Sequence, residues 1–270
     1  MRESEVEGRG KREEATASAG SPLFPLPSSP APQLLVVSLG LRPYLEALEL
    51  QRAVARARIT GAIAEDVLLL VEHPPVVTLG RATKAQHLTT PAWQLAERGV
   101  ELHEVERGGD VTFHGPGQLV GYPVVDLKRH RRDLHWYLRQ VEEALIVALA
   151  GAGVPAGRHA GYTGVWTGDG DGASWVPRRK IASIGVHARD WVTWHGFALN
   201  VTTDLSYFGL IVPCGIGGVQ MTSVARERGG AADVGEIGRL VAEGFGHVLS
   251  LAPRAVPLDA LALDLLTAAG

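Results

Sequence analysis

The chain has a single cysteine, Cys214, among its 270 residues. One thiol cannot form a disulfide within the chain, which suits a reducing compartment and leads us to expect a cytoplasmic protein. The thiol is then either a small buried side chain or a reactive group. It lies in VPCGIGG at 212–218, between a proline and a glycine-rich stretch. This setting favours a loop position and an accessible sulfur.

The sequence also lacks a long apolar run and an excess of positive charge. No stretch approaches the roughly 18 consecutive apolar residues of a membrane span. We therefore expect no membrane protein. The net charge of -3 argues against a protein whose main function is to neutralise nucleic-acid phosphates. Basic residues are concentrated at 128–132 and at 178–180. Such clusters are solvated faces or docking surfaces for an acidic partner.

The first 33 residues have no apolar periodicity and combine charge with Ala, Ser, Gly and Pro. A segment of this composition does not bury enough surface to offset the entropy of ordering. We therefore predict that residues 1–33 are a disordered N-terminal extension. Their glutamates and the absence of an apolar core argue against a transit peptide and a secretory signal.

Motifs for phosphate and metal binding are absent as well. There is no GxxxxGK[ST] loop, no HExxH and no pair or cluster of cysteines, histidines and carboxylates at metal-ligand spacing. We therefore expect no metal and no cofactor. The DGDG run at 169–172 does not continue to a glutamate at its twelfth position, and we interpret 168–177 as a solvent loop.

Patterns of strands and helices alternate along the rest of the chain. Several predicted strands follow one another directly, which favours an α/β or α+β domain, a mixed β-sheet covered by helices, over regular βαβ winding. We predict one domain over 34–252 and a C-terminal tail, 253–270, whose Ala- and Leu-rich sequence suits a loosely attached helix. The strands are expected at 34–39, 67–71, 76–79, 102–105, 119–125, 162–166, 180–188 and 192–201, and the helices at 43–61, 91–98, 133–150 and 234–251.

The segment RGGDVTFHGPGQ at 107–118 carries four glycines between two predicted strands. Glycine permits positive φ and close approach of the backbone, so this segment suits a turn whose N–H groups face a bound molecule. A glycine-rich hairpin without a ligand is the alternative.

Lys180 is a second candidate for chemistry because it enters an apolar strand, IASIG at 181–185. A lysine partly removed from water can act as a base or an acid. The alternative is an exposed basic cluster with Arg178 and Arg179. Sequence spacing does not show whether Lys180 and Cys214 meet. His114 and His195 lack metal-ligand spacing and are expected to make ordinary hydrogen bonds.

Four ordered blocks of the sequence resemble the lipoyl(octanoyl) transferase family. They are RGGDVTFHGPGQL at 107–119, RKIASIGV at 179–186, HGFALNV at 195–201, and PCGI at 213–216 followed by Thr222 and Ser223. The resemblance covers about residues 34–252 and implies the catalytic fold of the biotin and lipoate protein ligases. It departs from the family pattern at Asp110 and in the length of the 168–177 segment.

The resemblance implies transfer of an octanoyl group from octanoyl-acyl carrier protein, through an enzyme thioester, to one lysine of a lipoyl domain. The implied acceptors are the lipoyl domains of 2-oxo-acid dehydrogenase acyltransferase subunits and the glycine cleavage H protein. Cys214 matches the family's nucleophile and Lys180 matches the residue that handles protons. The positions that match the lining of the acyl pocket and reaction centre are Arg107, Gly108, Gly109, Asp110, Val111, Thr112, Phe113, His114, Ser183, Ile184, Gly185, Gly196, Phe197 and Ala198.

Three other functions stay open on the sequence. An ATP-dependent lipoate or biotin ligase would share the fold but would need a nucleotide-phosphate loop and no essential thiol, and the PCGI block argues against it. A non-catalytic module that binds acyl carriers or lipoyl domains would keep the pocket without needing Cys214. A nucleic-acid-binding role would depend on the basic clusters alone.

Overall fold

A computed structural model of the protein describes residues 31–170 and 175–263. A mixed β-sheet lies at its centre and helices cover both faces, which confirms the predicted fold class. A second, three-stranded sheet has a core cluster of its own. The predicted extension lies outside the described residues except for 31–33.

The long inner strands follow the apolar and β-branched runs of the sequence. The order across the large sheet is β12-β1-β2-β6-β10-β9-β8-β7, with β11 paired to β9, and the small sheet has the order β4-β3-β5. Their bounds are β1 (Gln33–Leu41), β2 (Asp66–Glu72), β3 (Val76–Leu79), β4 (Glu101–Glu104), β5 (Thr112–His114), β6 (Gln118–Val124), β7 (Ala156–Gly157), β8 (Val165–Asp169), β9 (Val176–Arg189), β10 (Val192–Asn200), β11 (Gln220–Met221) and β12 (Ala252–Ala255).

The longer helices begin and end at the residues that the sequence suggests. Asp133 and Asp233 cap two helices by accepting the N–H groups of Trp136 and Glu236, and Gly61 ends the first helix with a φ of 79°. In the described residues, no helix is long and apolar enough to cross a membrane. The bounds are α1 (Tyr44–Thr60), α2 (Ala92–Glu97), α3 (Leu134–Gly151), α4 (Val224–Arg228) and α5 (Val234–Leu249).

Alternation along β10 divides the core between the two faces of the large sheet. Phe197 faces the cluster that α3 and α5 complete, and it packs with Phe245 at a centroid distance of 5.8 Å. Its neighbour Ala198 faces the opposite cluster, to which α1 contributes Val54. Successive side chains of a strand point to opposite faces, so each face of the sheet has its own core.

Two predicted strands have different limits in the structure. β9 begins at Val176, within the predicted loop 168–177, and pairs with Asp169 of β8. Its first residues include a proline, the exposed Arg178 and the half-buried Arg179, which interrupt the apolar pattern of a strand. The strand predicted at 162–166 begins only at Val165. Tyr162 lies in the loop before it and lines a cavity.

The first residues of the predicted C-terminal tail form a strand and not a helix. β12 pairs in parallel with β1, with Gln33 opposite Ala252 and Val36 opposite Ala255. All of its side chains are exposed, so this edge strand shows no alternation of apolar and polar residues. A short 3₁₀ turn, Leu258–Leu261, follows and buries Leu261.

We expect Gly121→Ala to destabilise the fold, because a Cβ at this position of β6 would overlap the ring of Phe197. Phe197 is 2% exposed, so overpacking should lower the free energy of unfolding by about 1–3 kcal/mol. Urea denaturation followed by circular dichroism measures the difference. Gly230→Ala is the control, because no atom of the described residues lies within 4 Å of a Cβ built there. Equal stability of the two variants would contradict this packing.

Candidate active site

A cavity of about 290 Å³ lies against β9 and β10, beside the glycine-rich segment and the loop of Cys214. It is lined on several sides by residues that the sequence analysis selected. Those residues are Arg107, Gly109, Asp110, Thr112, His114, Lys180, Ser183, Ile184, Gly185, Gly196, Phe197, Ala198 and Cys214. The structure therefore brings the four sequence blocks together around one space.

Three selected positions, Gly108, Val111 and Phe113, do not line this cavity. Side chains alternate along an extended segment, so Val111 and Phe113 face the core cluster of the small sheet while Thr112 faces the cavity. Gly108 donates its N–H to the carbonyl of Val186 at 2.9 Å. All three hold the glycine-rich segment in place through contacts outside the cavity.

Other lining residues were missed because each fits an ordinary strand, helix or loop pattern. Burial raises the pKa of Tyr44, at the start of α1, to about 12, so it stays a neutral phenol at the cavity wall. The GYTG sequence at 161–164 carries a turn signal but nothing that indicates a cavity. The lining residues outside the selected set are Tyr44, Val120, Tyr122, Gly161, Tyr162, Thr163, His195, Gly215 and Ile216.

Lys180 and Cys214 are in direct contact at the cavity wall. The ammonium Nζ of Lys180 lies 3.2 Å from the sulfur of Cys214, and it donates a second hydrogen bond to the carbonyl of Thr163 at 3.2 Å. The hydroxyl of Ser183 lies 3.4 Å from the same sulfur. Lys180 is 1% exposed, so the alternative of an exposed basic cluster is wrong for this residue.

A strained turn presents the sulfur of Cys214. Cys214 has a φ of 55° and Gly215 a φ of 66°, a left-handed conformation that is uncommon for a residue with a side chain. Two hydrogen bonds hold the turn: Cys214 N–H donates to the carbonyl of Val111, and Gly215 N–H donates to that of Val212, both at 3.0 Å. Strain of this kind persists only where the surrounding structure fixes it.

Glycine at 185 lets the glycine-rich segment lie directly on β9. A Cβ at Gly185 would meet the carbonyl oxygen of Gly108 at 2.6 Å. Beside this contact, the buried guanidinium of Arg107 donates to the carbonyl and the hydroxyl of Thr78 at 2.8 and 2.9 Å. Burial lowers the pKa of Arg107, and the nearby Tyr44 and Cys214 oppose that shift. Arg107 thus fixes a positive charge at the wall of the cavity.

The two histidines of the cavity make structural contacts. Burial lowers the pKa of His114 to about 3, and its Nδ1 lies 2.8 Å from the Oε1 of Gln118. Burial also lowers the pKa of His195, whose Nε2 lies 3.7 Å from a carboxylate oxygen of Glu106. Both imidazoles are therefore mainly neutral at pH 7 and add no positive charge to the cavity.

The basic residues at 128–132 lie away from this site. The N–H of Leu127 donates to the carbonyl of Trp191, beside the first residue of β10, whereas the first residue of that strand to line the cavity is His195. Three strand residues span about 10 Å, and none of residues 128–132 lines the cavity. Lys128 and Arg131 are paired with Asp126 and Asp133, which reduces the net charge of the cluster.

The fold is that of the lipoate protein ligases. The bipartite lipoate protein ligase of Thermoplasma acidophilum matches it with a TM-score of 0.64 at 18% identity, over 88% of this chain and 92% of that one. A lipoate-protein ligase A solved with ATP gives a TM-score of 0.61 at 18% identity, over 88% and 94% of the two chains.

The sequence profile of the lipoyl protein ligase A/B catalytic domain matches residues 43–246, and the chain belongs to this family. Its relatives include an octanoyltransferase of Gloeobacter violaceus, 52% identical over 183 residues, which are 67% of this chain and 76% of the relative. An octanoyltransferase of Koribacter versatilis is 47% identical over 215 residues, 79% of this chain and 83% of the relative. The resemblance stated from the four blocks is confirmed.

We expect Gly215→Ala to slow the alkylation of Cys214 by iodoacetamide at pH 7. A Cβ at this position would meet the Oδ2 of Asp110 at 2.5 Å and the Cε1 of His87 at 2.9 Å, and those two side chains are themselves paired at 2.6 Å. The turn must move and take the sulfur away from Lys180. The control is Gly217→Ala, where no atom in the part of the chain that the structure describes lies within 4 Å of a Cβ. The same alkylation rate in both variants would show that the turn does not depend on this close packing.

Proposed function

We propose that this chain is an octanoyltransferase that moves an octanoyl group from acyl carrier protein, through a thioester on Cys214, to a lysine of a lipoyl domain. The observation that carries the proposal is the 3.2 Å contact between Lys180 Nζ and Cys214 Sγ beside a cavity. A thioester donor is already activated, so the transfer needs a nucleophile and a proton carrier and no ATP.

In the first half-reaction the sulfur of Cys214, its proton held by Lys180, attacks the thioester carbonyl of the donor. The new carbon–sulfur bond forms as the carbon–sulfur bond to the carrier breaks. The departing thiolate takes a proton from the ammonium of Lys180, which becomes a neutral amine. The acyl group is then on Cys214, and the carrier leaves as a thiol.

In the second half-reaction the amine of the acceptor lysine attacks the acyl-enzyme carbonyl. Its surplus proton passes to the neutral Lys180 as the amide forms, and Cys214 leaves as a thiolate. The ammonium beside the sulfur is thereby restored. One buried lysine serves as acid in the first step and as base in the second, which is the usual division of proton transfer in covalent catalysis.

The lining of the cavity suits an alkyl chain. Val120, Ile184, Phe197, Ala198 and Ile216 supply apolar surface. Burial of an eight-carbon chain contributes roughly 5 kcal/mol at about 0.8 kcal/mol for each CH₂. This interaction holds the alkyl chain of the acyl-enzyme in the cavity while the carrier departs and the acceptor arrives.

The fold alone does not separate an octanoyltransferase from an ATP-dependent ligase, and it does not identify the acceptor. The chemistry of the reaction does. The Thermoplasma ligase of similar fold was studied with its E2 lipoyl domain, which supports a lipoyl-domain acceptor here. Ligases activate a free acid with ATP, so two assays separate the classes: octanoyl-acyl carrier protein without ATP, and octanoate with ATP. Lipoyl-domain acylation only in the second assay would favour the ligase.

Incubation with octanoyl-acyl carrier protein and no acceptor should add one octanoyl group to the chain. The chain has one cysteine, so an adduct released by neutral hydroxylamine is a thioester at Cys214. Intact mass spectrometry detects the gain, and Cys214→Ala should show none. An octanoyl group on a lysine of this chain, or an unmodified chain during turnover, would contradict the thioester intermediate.

Substitution of Lys180 should separate proton transfer from simple charge. Lys180→Ala is expected to slow both half-reactions by about 10²- to 10⁴-fold, the usual value of general acid–base catalysis. Lys180→Arg keeps the charge but cannot give up its proton at working pH, so it should not restore the rate. Rapid-quench measurement of each half-reaction tests this, with thermal unfolding as the folding control. Near wild-type turnover in Lys180→Arg would remove Lys180 from proton transfer.

A further inference from the structure

Glu142 on α3 is a fully buried carboxylate, 0% exposed. Its Oε1 accepts the N–H of Gly164 at 3.1 Å. Its Oε2 accepts from the guanidinium groups of Arg139 and Arg158 at 2.5 and 3.0 Å. Both arginines reach in from the surface, where their side chains are 49% and 38% exposed.

A carboxylate without water is costly unless charged and polar partners surround it. The two arginines offset the charge on one oxygen of Glu142. The other oxygen is directed at a backbone N–H of the loop before β8. An ion pair with two surface arginines could form at the surface and does not by itself require a buried glutamate. The buried position of Glu142 places its Oε1 within hydrogen-bond distance of the Gly164 N–H.

The loop that Glu142 holds is in contact with Lys180. The carbonyl of Thr163 accepts a hydrogen bond from Lys180 Nζ at 3.2 Å. Gly164, with a φ of 130°, lies so close that a Cβ there would meet Lys180 Cε at 2.8 Å. A shift of the Thr163–Gly164 peptide therefore changes both the hydrogen bond and the packing of the lysine.

We infer that Glu142 is a positioning residue: it fixes the Thr163–Gly164 peptide, which in turn holds the ammonium of Lys180 against Cys214. This inference rests on the proposed roles of Lys180 and Cys214. It assigns to α3, which does not line the cavity, a part in the reaction. Glu142 touches neither substrate nor sulfur and acts through Lys180.

Glu142→Gln is the most specific substitution for this test, because the side chain keeps its shape and loses one hydrogen-bond acceptor. A glutamine has one carbonyl oxygen and one NH₂ group. In either orientation the NH₂ group faces a donor, the Gly164 N–H or the guanidinium groups. The loop or the arginines must then move.

The matched control is Glu143→Gln, one residue further along α3. Glu143 accepts from Arg158 at 2.7 Å and is 42% exposed. This change removes the same charge from the same helix and from the same arginine. It leaves the contact between Glu142 and Gly164 in place.

The readout is the pH dependence of Cys214 alkylation by iodoacetamide, which needs neither acyl donor nor acceptor. The chain has one cysteine, so the measured rate belongs to Cys214. We expect the profile of Glu142→Gln to move toward that of Lys180→Ala, whereas Glu143→Gln keeps the wild-type profile. Because alkylation is independent of octanoyl transfer, failure of the proposed function would not affect this result.

Acylation by octanoyl-acyl carrier protein gives the second readout. Glu142→Gln should lower the maximal rate of acylation by about tenfold or more, within the range of lost acid–base catalysis. The half-saturating concentration of the donor should change by less than about twofold, since ground-state binding is untouched.

Several results would overturn the inference. They are a folded Glu142→Gln with wild-type alkylation and acylation, a loss of acylation without a change in the alkylation profile, or the same shift in Glu143→Gln. If circular dichroism shows that Glu142→Gln does not fold, Arg158→Gln replaces it. This variant removes one donor to Glu142 and should give a smaller shift in the same direction, and a wild-type profile in it would also overturn the inference.

Discussion

A buried ammonium group is stable only where polar partners replace its water, because an uncompensated charge in a protein interior costs several kcal/mol. Lys180 meets this requirement with the sulfur of Cys214, the carbonyl of Thr163 and the ring of Trp166, whose centroid lies 5.6 Å from Nζ. Each partner comes from a different segment of the chain. The lysine therefore fixes the relative positions of β8, the loop before it and the cysteine turn.

The register of a two-residue strand brings the cysteine turn to the lysine. β11 pairs with β9 so that Met221 lies opposite Lys180, and the N–H of Thr222 donates to the carbonyl of Lys180 at 3.0 Å. The side-chain amide of Asn200 donates to the carbonyl of Thr222 at 2.9 Å. A slip of one residue would turn every side chain of the strand to the opposite face, so this short pairing fixes the chain that follows the cysteine turn against Lys180.

The sequence predicts those parts of the fold whose signal is local. Periodic apolar residues locate α1, α3 and α5 and the inner strands, because a buried face leaves its period in the sequence. β12 was missed because its exposed side chains have no period. Its pairing with β1 depends on backbone hydrogen bonds, which leave no pattern in the side chains.

The candidate site was likewise predicted where its signal is local and missed where it depends on tertiary contacts. Cys214 and Lys180 were selected from the sequence, one from its loop context and the other from its place at the head of an apolar strand. Their contact depends on tertiary structure, as does the place of Tyr162 and Thr163 in the cavity wall. Glu142 gave no signal, because a glutamate within an amphipathic helix is indistinguishable from a solvated one until the helix is packed.

The different exposure of the two central residues suits the reaction proposed for them. In that reaction two large partners each bring a reacting atom to the same sulfur, so Cys214 would need an open position, and it is half-buried in a loop. The proposed proton exchange at Lys180 takes place at short range, and this lysine is 1% exposed on a strand, where water competes least for its charge. A strand holds Lys180 in place while a strained turn extends Cys214 toward the surface. Exchange of the two positions would expose the base to water and bury the sulfur beyond the reach of either partner.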